Sequence, residues 1–545
     1  MAQLSTGAAV VRALAAHGTD VVLGIPGTHN LGLYEHLPAH GIRHVTPRHE
    51  QGGGYAADAY ARVSGRPGVL FATTGPGILN AATALAQAWS DCSPVLAVSP
   101  GMPTGHPGRA TGRLHEARDQ HAALAAVVDR AVRVDTPAAA AEAVRDAFTA
   151  FRSGRPRPWH LEVALDRLDD VDEVPDELFV PAAADHPWVD PKLARAAAAL
   201  LAGAERPAVV LGGGARGASA QAQALVEVLG CPAVTSTNGK GVLPESHPSS
   251  LGCGLHLAAV QRWLRAADVV LVVGCELAES DAWTTKPLVT GRVVRIDLDP
   301  EQRDLNAPAA DVMLGADAAP ALAMVTAELA ALAAVRPADR PRPDAGLRAS
   351  LMTAVRQEAD TLGARWLPLL RGLRAALPSE AVLATDNAMA AYYGAATSFP
   401  VEAARSYLFP TGFGTLGFAL PAAIGAALGA PERPVAALTG DGGLQFTVNE
   451  LATAGSLGRA LPVVVVDNGG FGEIRAQQAA RGAPAVGVDL ASPDWAALAS
   501  AYGAGCVRVE ATSASPAAEA QVADAVTAAL GVGRTTLIVV QEEPA

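Results

Sequence analysis

Aromatic residues are scarce in this chain of 545 residues, at 4%, and cysteine is scarcer still, with five. So few rings leave no platform on which successive bases stack. Positive charge is in deficit as well: 41 Lys and Arg stand against 54 Asp and Glu, a net charge of −13. An acidic surface repels a phosphate backbone, so nucleic acid is not an expected partner. The cysteines, at 92, 231, 253, 275 and 506, form no Cys-x-x-Cys pair. That argues against structural zinc and against a disulfide framework, and leaves five small buried hydrophobes suited to a reducing cytoplasm. No apolar run reaches the roughly 18–20 residues that span a bilayer. The opening stretch MAQLSTGAAVVRALAAHG lacks the basic and long apolar regions of a signal peptide and reads as an amphipathic helix. The expectation is a soluble cytoplasmic protein with no membrane partner.

What the chain does have is apolar mass: 50% hydrophobic against 17% charged residues, enough to bury large cores and too much for disorder. Its length suits about three domains. Short β-branched runs alternate with helical stretches throughout: 20–25, 69–74 and 94–98; then 208–214, 269–277 and 293–300; then 381–385, 435–439 and 463–467. Strand, glycine turn and helix in repetition mean parallel α/β sheets. Acidic, Pro-rich 166–191 and Pro-rich 335–346 read as linkers. The predicted architecture is α/β, three consecutive doubly wound parallel-sheet domains at 1–168, 188–334 and 348–545. In the middle block, Gly212, Gly213 and Gly214 form either a nucleotide turn or a plain structural turn. The full G-x-G-x-x-G spacing is missing.

The most informative segment is 435–475. One strand ends at Gly440-Asp441-Gly442-Gly443 and the next at Asp467-Asn468-Gly469-Gly470. Carboxyl ends of strands are where doubly wound sheets bind ligands. Asp441 and Asn468 offer hard oxygens, and the glycines let backbone amides approach a phosphate. That combination favours Mg²⁺ beside a phosphate group.

GDG followed by an asparagine 27 positions later (468 − 441) resembles the motif of the thiamin diphosphate-dependent enzymes, the superfamily of acetolactate synthases and pyruvate decarboxylases. The resemblance implies that Asp441, the Asn468 side chain and the Gly470 carbonyl hold Mg²⁺, and that Gly442 and Gly443 contact the diphosphate. RHEQGGGYAADAYARVSGRPGVLFATTGPGILNA, 48–82, resembles the family's pyrimidine-binding domain. Glu50 then matches the carboxyl that pairs with N1′ of the cofactor and exchanges a proton with the aminopyrimidine. Gly75, in GPG at 75–77, matches a turn near the cofactor. FPTGFGTLGFALPAAIGAALGA, 409–430, resembles the loop beneath the thiazolium. Gly414 there supplies a carbonyl to the 4′-amino group, and Leu416 is the bulky residue that bends the cofactor and brings its reacting groups together. Asn387, in the turn after strand 381–385, is either a diphosphate contact or part of a plain turn. The three domains become pyrimidine-binding, central, and diphosphate- and Mg-binding.

Within the superfamily, segments 25–34, 43–52, 274–280 and 392–394 resemble the 5-guanidino-2-oxopentanoate decarboxylases. The implied reaction is decarboxylation of a small 2-oxo acid to an aldehyde. The alternative is acetolactate synthase-like carboligation onto a second carbonyl compound. Two departures stand out. Asn387, Ala388 and Met389 replace more polar residues, and LHE at 114–116 replaces Phe-Gln-Glu, which puts His115 where relatives place a glutamine near the reacting carbon. His115 and His29, the latter in the turn GTHN, are candidate proton carriers because imidazole titrates near neutrality. Glu473, just past the metal turn, is either a solvated helix residue or a partner for a cationic substrate group. FAD in the central domain is left open. The resemblance further implies a homodimer or homotetramer with the active site at the subunit interface. Two other classes remain: a flavin- or nicotinamide-linked oxidoreductase, suggested by 212–214, and a catalytically silent homologue, against which the presence of Glu50, Asp441 and Asn468 argues.

Overall fold

The computed structural model describes residues 1–183, 187–335 and 345–542. Most of the predicted linker 335–346 therefore lies outside the described residues. Val- and Ala-rich runs form strands buried on both faces, as parallel sheets require. Val269–Val273 (VVLVV) and Leu461–Asp467 (LPVVVVD) are buried at every position.

The N-terminal block contains β1 (Ala2–Ser5), β2 (Val21–Gly24), β3 (Arg43–Val45), β4 (Gly68–Phe71), β5 (Val95–Gly101), β6 (Arg130–Val134), β7 (Trp159–Ala164) and β8 (Val171–Val174). Six of these make a parallel sheet in the order β3-β2-β4-β5-β7-β6. The central block has β9 (Pro207–Leu211), β10 (Ala233–Thr235), β11 (Ser250–Cys253), β12 (Val269–Val273), β13 (Arg292–Asp297) and β14 (Val312–Gly315), in the order β11-β10-β9-β12-β13-β14. The C-terminal block has β15 (Val382–Thr385), β16 (Tyr407–Leu408), β17 (Val435–Gly440), β18 (Leu461–Asp467), β19 (Gly505–Val509) and β20 (Thr535–Gln541), in the order β16-β15-β17-β18-β20-β19. The chain thus has three consecutive parallel-sheet α/β domains.

The two outer sheets share one order, and all three reverse direction beside their first strand. That leaves crevices between the carboxyl ends of β2 and β4, of β9 and β12, and of β15 and β17, the places where such sheets take ligands. Several sequence-derived candidates follow from this topology. Residues 27–30 and 73–77 leave β2 and β4, 212–214 leave β9, and Asn387 and Asp441 follow β15 and β17.

The acidic stretch read as a linker departs from that expectation. Val171–Val174 pairs antiparallel with Ala2–Ser5, and Asp176 receives Met1 and Arg12. A strand whose side chains are mostly exposed shows no hydrophobic alternation, so composition hides it. The N-terminal helix forms as expected at Thr6–Ala16, with Ser5 as its cap. None of the five cysteines is in a disulfide, and among the described residues no helix is long and apolar enough to cross a membrane.

The outer domains meet through two helices, Glu50–Ser64 and Ala419–Gly429, packed on small residues. A Cβ on Gly425 would lie 2.0 Å from Ala56 O, so the helices touch backbone to backbone. Glu450 tightens the contact, since its Oε1 accepts from the Arg48 and His49 amides at 3.0 Å each, just ahead of Glu50.

Candidate active site

One half of the site is built on the N-terminal sheet. Glu50 opens its helix, with His49 as cap, and its side chain is buried. Asn80 Nδ2 donates to Glu50 Oε2 at 3.0 Å. Tyr34 faces the same carboxylate: burial first, then the Glu50 charge, raises the phenol above its ordinary range. His29 and His115, singled out separately in the sequence, meet edge to face with ring centroids 4.9 Å apart. Burial, then the neighbouring His115, lowers the His29 pKa. Neither Nδ1 has a protein partner. His115 takes a left-handed φ of 61°, and its carbonyl packs so closely on Gly75 that a Cβ there would stand 2.2 Å away. Gly75 N donates to Gln120 Oε1 at 2.7 Å, and Gln120 Nε2 donates to Glu162 Oε2 at 2.9 Å. Glu50, His29, His115 and Gly75 are therefore neighbours at one crevice, as their turns require.

The other half is a cavity at the β15/β17 crevice. It is lined by Asn387, Gly414, Leu416, Asp441, Gly442, Gly443, Asn468, Gly470 and Glu473, which are all the candidates drawn from the C-terminal domain. Asp441 is 1% exposed, and burial followed by the nearby Asp467 raises its carboxyl to about 6. Asp467 itself is fixed by Trp495, Ser492 and Gln541. Asp441 Oδ2 and Asn468 Oδ1 are both buried without a protein donor. Unpartnered hard oxygens beside a carboxylate short of positive charge are the donor set a divalent cation satisfies, its remaining positions left to phosphate and water. The residues present fit Mg²⁺ with a diphosphate. Gly470 adopts φ 146°, and a Cβ there would stand 2.0 Å from Val488 O, so only glycine keeps this turn.

Two details go beyond the sequence reading. Asn387 Nδ2 donates to Gly414 O at 2.7 Å. Asn387 thus supports the loop carbonyl, which keeps a second lone pair for another donor. Asp386, the residue just after β15, is buried and organises the cavity floor. It accepts from Gly417 N at 3.0 Å and from Thr439 Oγ1 at 3.1 Å. Asn80, Tyr34, Gln120 and Asp386 carry no sequence signal of their own, because each acts through a contact made only in the fold.

None of Glu50, His29, His115 and Gly75 lines the Asp441 cavity of the same chain. Both halves border exposed apolar side chains: Leu79 and Leu114 beside the first, Phe413, Phe446 and Ile474 beside the second. Gly213 and Gly214 line a third cavity, between the N-terminal and central domains, together with Gly274, Arg155 and Arg216.

Comparison with known proteins agrees with this layout. Residues 4–123 match the N-terminal TPP binding domain of thiamine pyrophosphate enzymes, 194–325 the central domain and 389–540 the C-terminal TPP binding domain. A probable 2-ketoarginine decarboxylase of Pseudomonas aeruginosa is 40% identical over 92% of this chain and 88% of its own length. The acetolactate synthase large subunit of Mycobacterium tuberculosis is 32% identical over 93% and 84%. Acetolactate synthase isozyme 1 large subunit of Escherichia coli is 30% identical over 86% and 82%.

Proposed function

Since the chain belongs to the thiamine pyrophosphate enzymes and carries their full decarboxylase/carboligase domain set, we propose that it decarboxylates a 2-oxo acid with a cationic side chain, 5-guanidino-2-oxopentanoate, to the aldehyde one carbon shorter. 2-Ketoarginine is the same compound, so the relative with 40% identity supports the substrate. When bound, thiamin diphosphate supplies the nucleophilic carbon and the electron sink that loss of CO₂ requires.

The chain's own residues bind, orient and move protons. Asp441, Asn468 and the Gly470 carbonyl hold Mg²⁺, and the Gly442 and Gly443 amides take the diphosphate. Glu50, oriented by Asn80, holds and returns a proton at the pyrimidine ring. Leu416 and the Gly414 carbonyl shape the cofactor's seat, with Asn387 steadying the carbonyl. His29 and His115 stand ready to move a proton at the reacting carbon. The observation that carries the proposal is the pair of unpartnered buried oxygens, Asp441 Oδ2 and Asn468 Oδ1, in a cavity that holds every C-terminal candidate.

The active unit in this proposal is a dimer, or a dimer of dimers, in which Glu50 of one chain faces the Asp441 cavity of another. The separation of the two halves within one chain and the apolar side chains around both support it. The acetolactate synthases among the relatives favour carboligation as the second reading. Neither reaction's chemistry draws on a flavin, and the cavity beside Gly213 and Gly214 combines the carboxylates Asp91, Glu276, Asp281, Asp297 and Asp317 with the cations Arg155 and Arg216.

The test is CO₂ release from pyruvate, branched, aromatic and guanidino 2-oxo acids with thiamin diphosphate and Mg²⁺, with mass analysis of the organic product. A shortened aldehyde, formed fastest from the guanidino acid, is expected. Release from pyruvate with a longer hydroxy-keto product replaces this reading with the carboligase.

A further inference from the structure

The Asp441 cavity has a second end that the cofactor residues leave unused. Besides Asp441, two carboxylates line it, Glu473 and Glu542. Glu542 already has a cation, Arg365, at 3.2 Å. Glu473 has none among the described residues. Tyr393 Oη donates to its Oε2 at 3.1 Å, and Gln477 Nε2 donates to its Oε1 at 2.8 Å. An ionised carboxylate offers about four acceptor sites. The Tyr392 hydroxyl also reaches this carboxylate. Three neutral donors fix the group's direction, bring it no positive charge and leave it acceptor capacity for one charged donor, the strongest kind of partner a carboxylate takes.

The element opposite is unusual. Residues Ala390–Ala395 form a π-helical turn running straight on from Met389 and Ala390 at the cavity wall. Such turns are rare and recur at functional sites. Here the turn presents two adjacent tyrosines to one carboxylate. Burial, then the Glu473 charge, raises both phenols, Tyr393 to about 12. Trp283 stands edge-on to Tyr393, centroids 5.4 Å apart, and stacks on His256 at 4.0 Å. It is held at a left-handed φ of 51° and remains 44% exposed. A large ring kept half in solvent in a strained conformation is not there to fill a core. Aromatic faces beside a lone carboxylate are the surroundings in which a planar cation is bound.

We infer that Glu473, aimed by Tyr393 and Gln477 and flanked by the Tyr392 and Tyr393 side chains, with Trp283 packed behind them, is the acceptor for the cationic end of the substrate and sets the preference for a guanidino over an uncharged 2-oxo acid. The inference rests on the decarboxylase reading for its choice of substrate; the site itself does not depend on turnover.

The experiment separates the two. Calorimetry of the holoenzyme with arginine, which carries the same guanidinium on a chain that cannot be decarboxylated by the same route, reads the site alone. Binding is expected in the wild type and is expected to weaken at least about 10-fold in Glu473→Gln, which keeps the shape and the Tyr393 hydrogen bond but removes the charge. Kinetics then read specificity. The ratio of kcat/KM for 5-guanidino-2-oxopentanoate to that for 2-oxohexanoate is expected to fall on the order of 100-fold in Glu473→Gln, mostly through KM. Tyr393→Phe is expected to produce a smaller fall in the same direction. Arginine binding and a substrate ratio both unchanged in Glu473→Gln, in protein with wild-type melting temperature, overturn the inference. Arginine binding that depends on Glu473 in an enzyme that decarboxylates only uncharged acids keeps the cation site and overturns the guanidino-acid reading instead.

Discussion

At the scale of single residues, the decisive atoms are buried oxygens with nothing to accept from. Removing one of them in Asp441→Ala is expected to weaken Mg²⁺-dependent binding of thiamin diphosphate by on the order of 10²-fold in a calorimetric titration. Glu50→Gln is expected to lower turnover by about 10²–10⁴-fold while cofactor binding persists. A wild-type rate in that variant contradicts the role given to Glu50. Gly470→Ala puts a Cβ 2.0 Å from Val488 O, so the turn must shift. Loss of roughly 1–3 kcal/mol in denaturant unfolding, together with weaker metal binding, is expected. Glu50, Asp441 and Asn468 were legible in the sequence because each sits at a fixed offset within a short motif. Asn80, Tyr34 and Asp386 were not, because their partners lie across turns of the fold. His29 and His115 were legible singly; that their rings touch is a fact of topology.

At the scale of elements, the Glu50 helix is held from outside its own domain. Glu450→Ala leaves the Arg48 and His49 amides without their acceptor. It is expected to cost about 2–3 kcal/mol of stability and to reduce activity along with it, measured by parallel melting and rate assays. Strand β7 supplies a pH prediction. His160 is fully buried, bonded to Ser99 at 2.9 Å, and burial lowers its pKa to about 3. The unfolded chain therefore takes up that proton first. The stability His160 confers as a neutral group is complete above about pH 6.5 and is lost as pH falls below it, by roughly 2 kcal/mol at pH 5. His160→Gln is expected to remove that part of the slope between pH 6.5 and 5 when its unfolding is compared with wild type. Buried strands were legible because valine runs with no polar alternation have few alternatives. The β1–β8 clasp was not, because an exposed pair held by backbone hydrogen bonds and by Asp176 leaves no hydrophobic pattern to read.

At the scale of the whole molecule, the outer sheets repeat one strand order, and the proposed function draws half of its site from each. The sequence reveals each half by motif, but not their separation, since that depends on how helices Glu50–Ser64 and Ala419–Gly429 cross. The proposed assembly closes the gap with a second chain. Subunit complementation tests this most directly. Glu50→Gln and Asp441→Ala chains, each inactive alone, are co-expressed and assayed for decarboxylation with thiamin diphosphate and Mg²⁺. If Glu50 serves the cavity of its partner, half the sites in each mixed dimer are intact, and roughly a quarter of wild-type activity returns. If both halves belong to one chain, every site carries a defect and no activity returns, which contradicts the two-chain site.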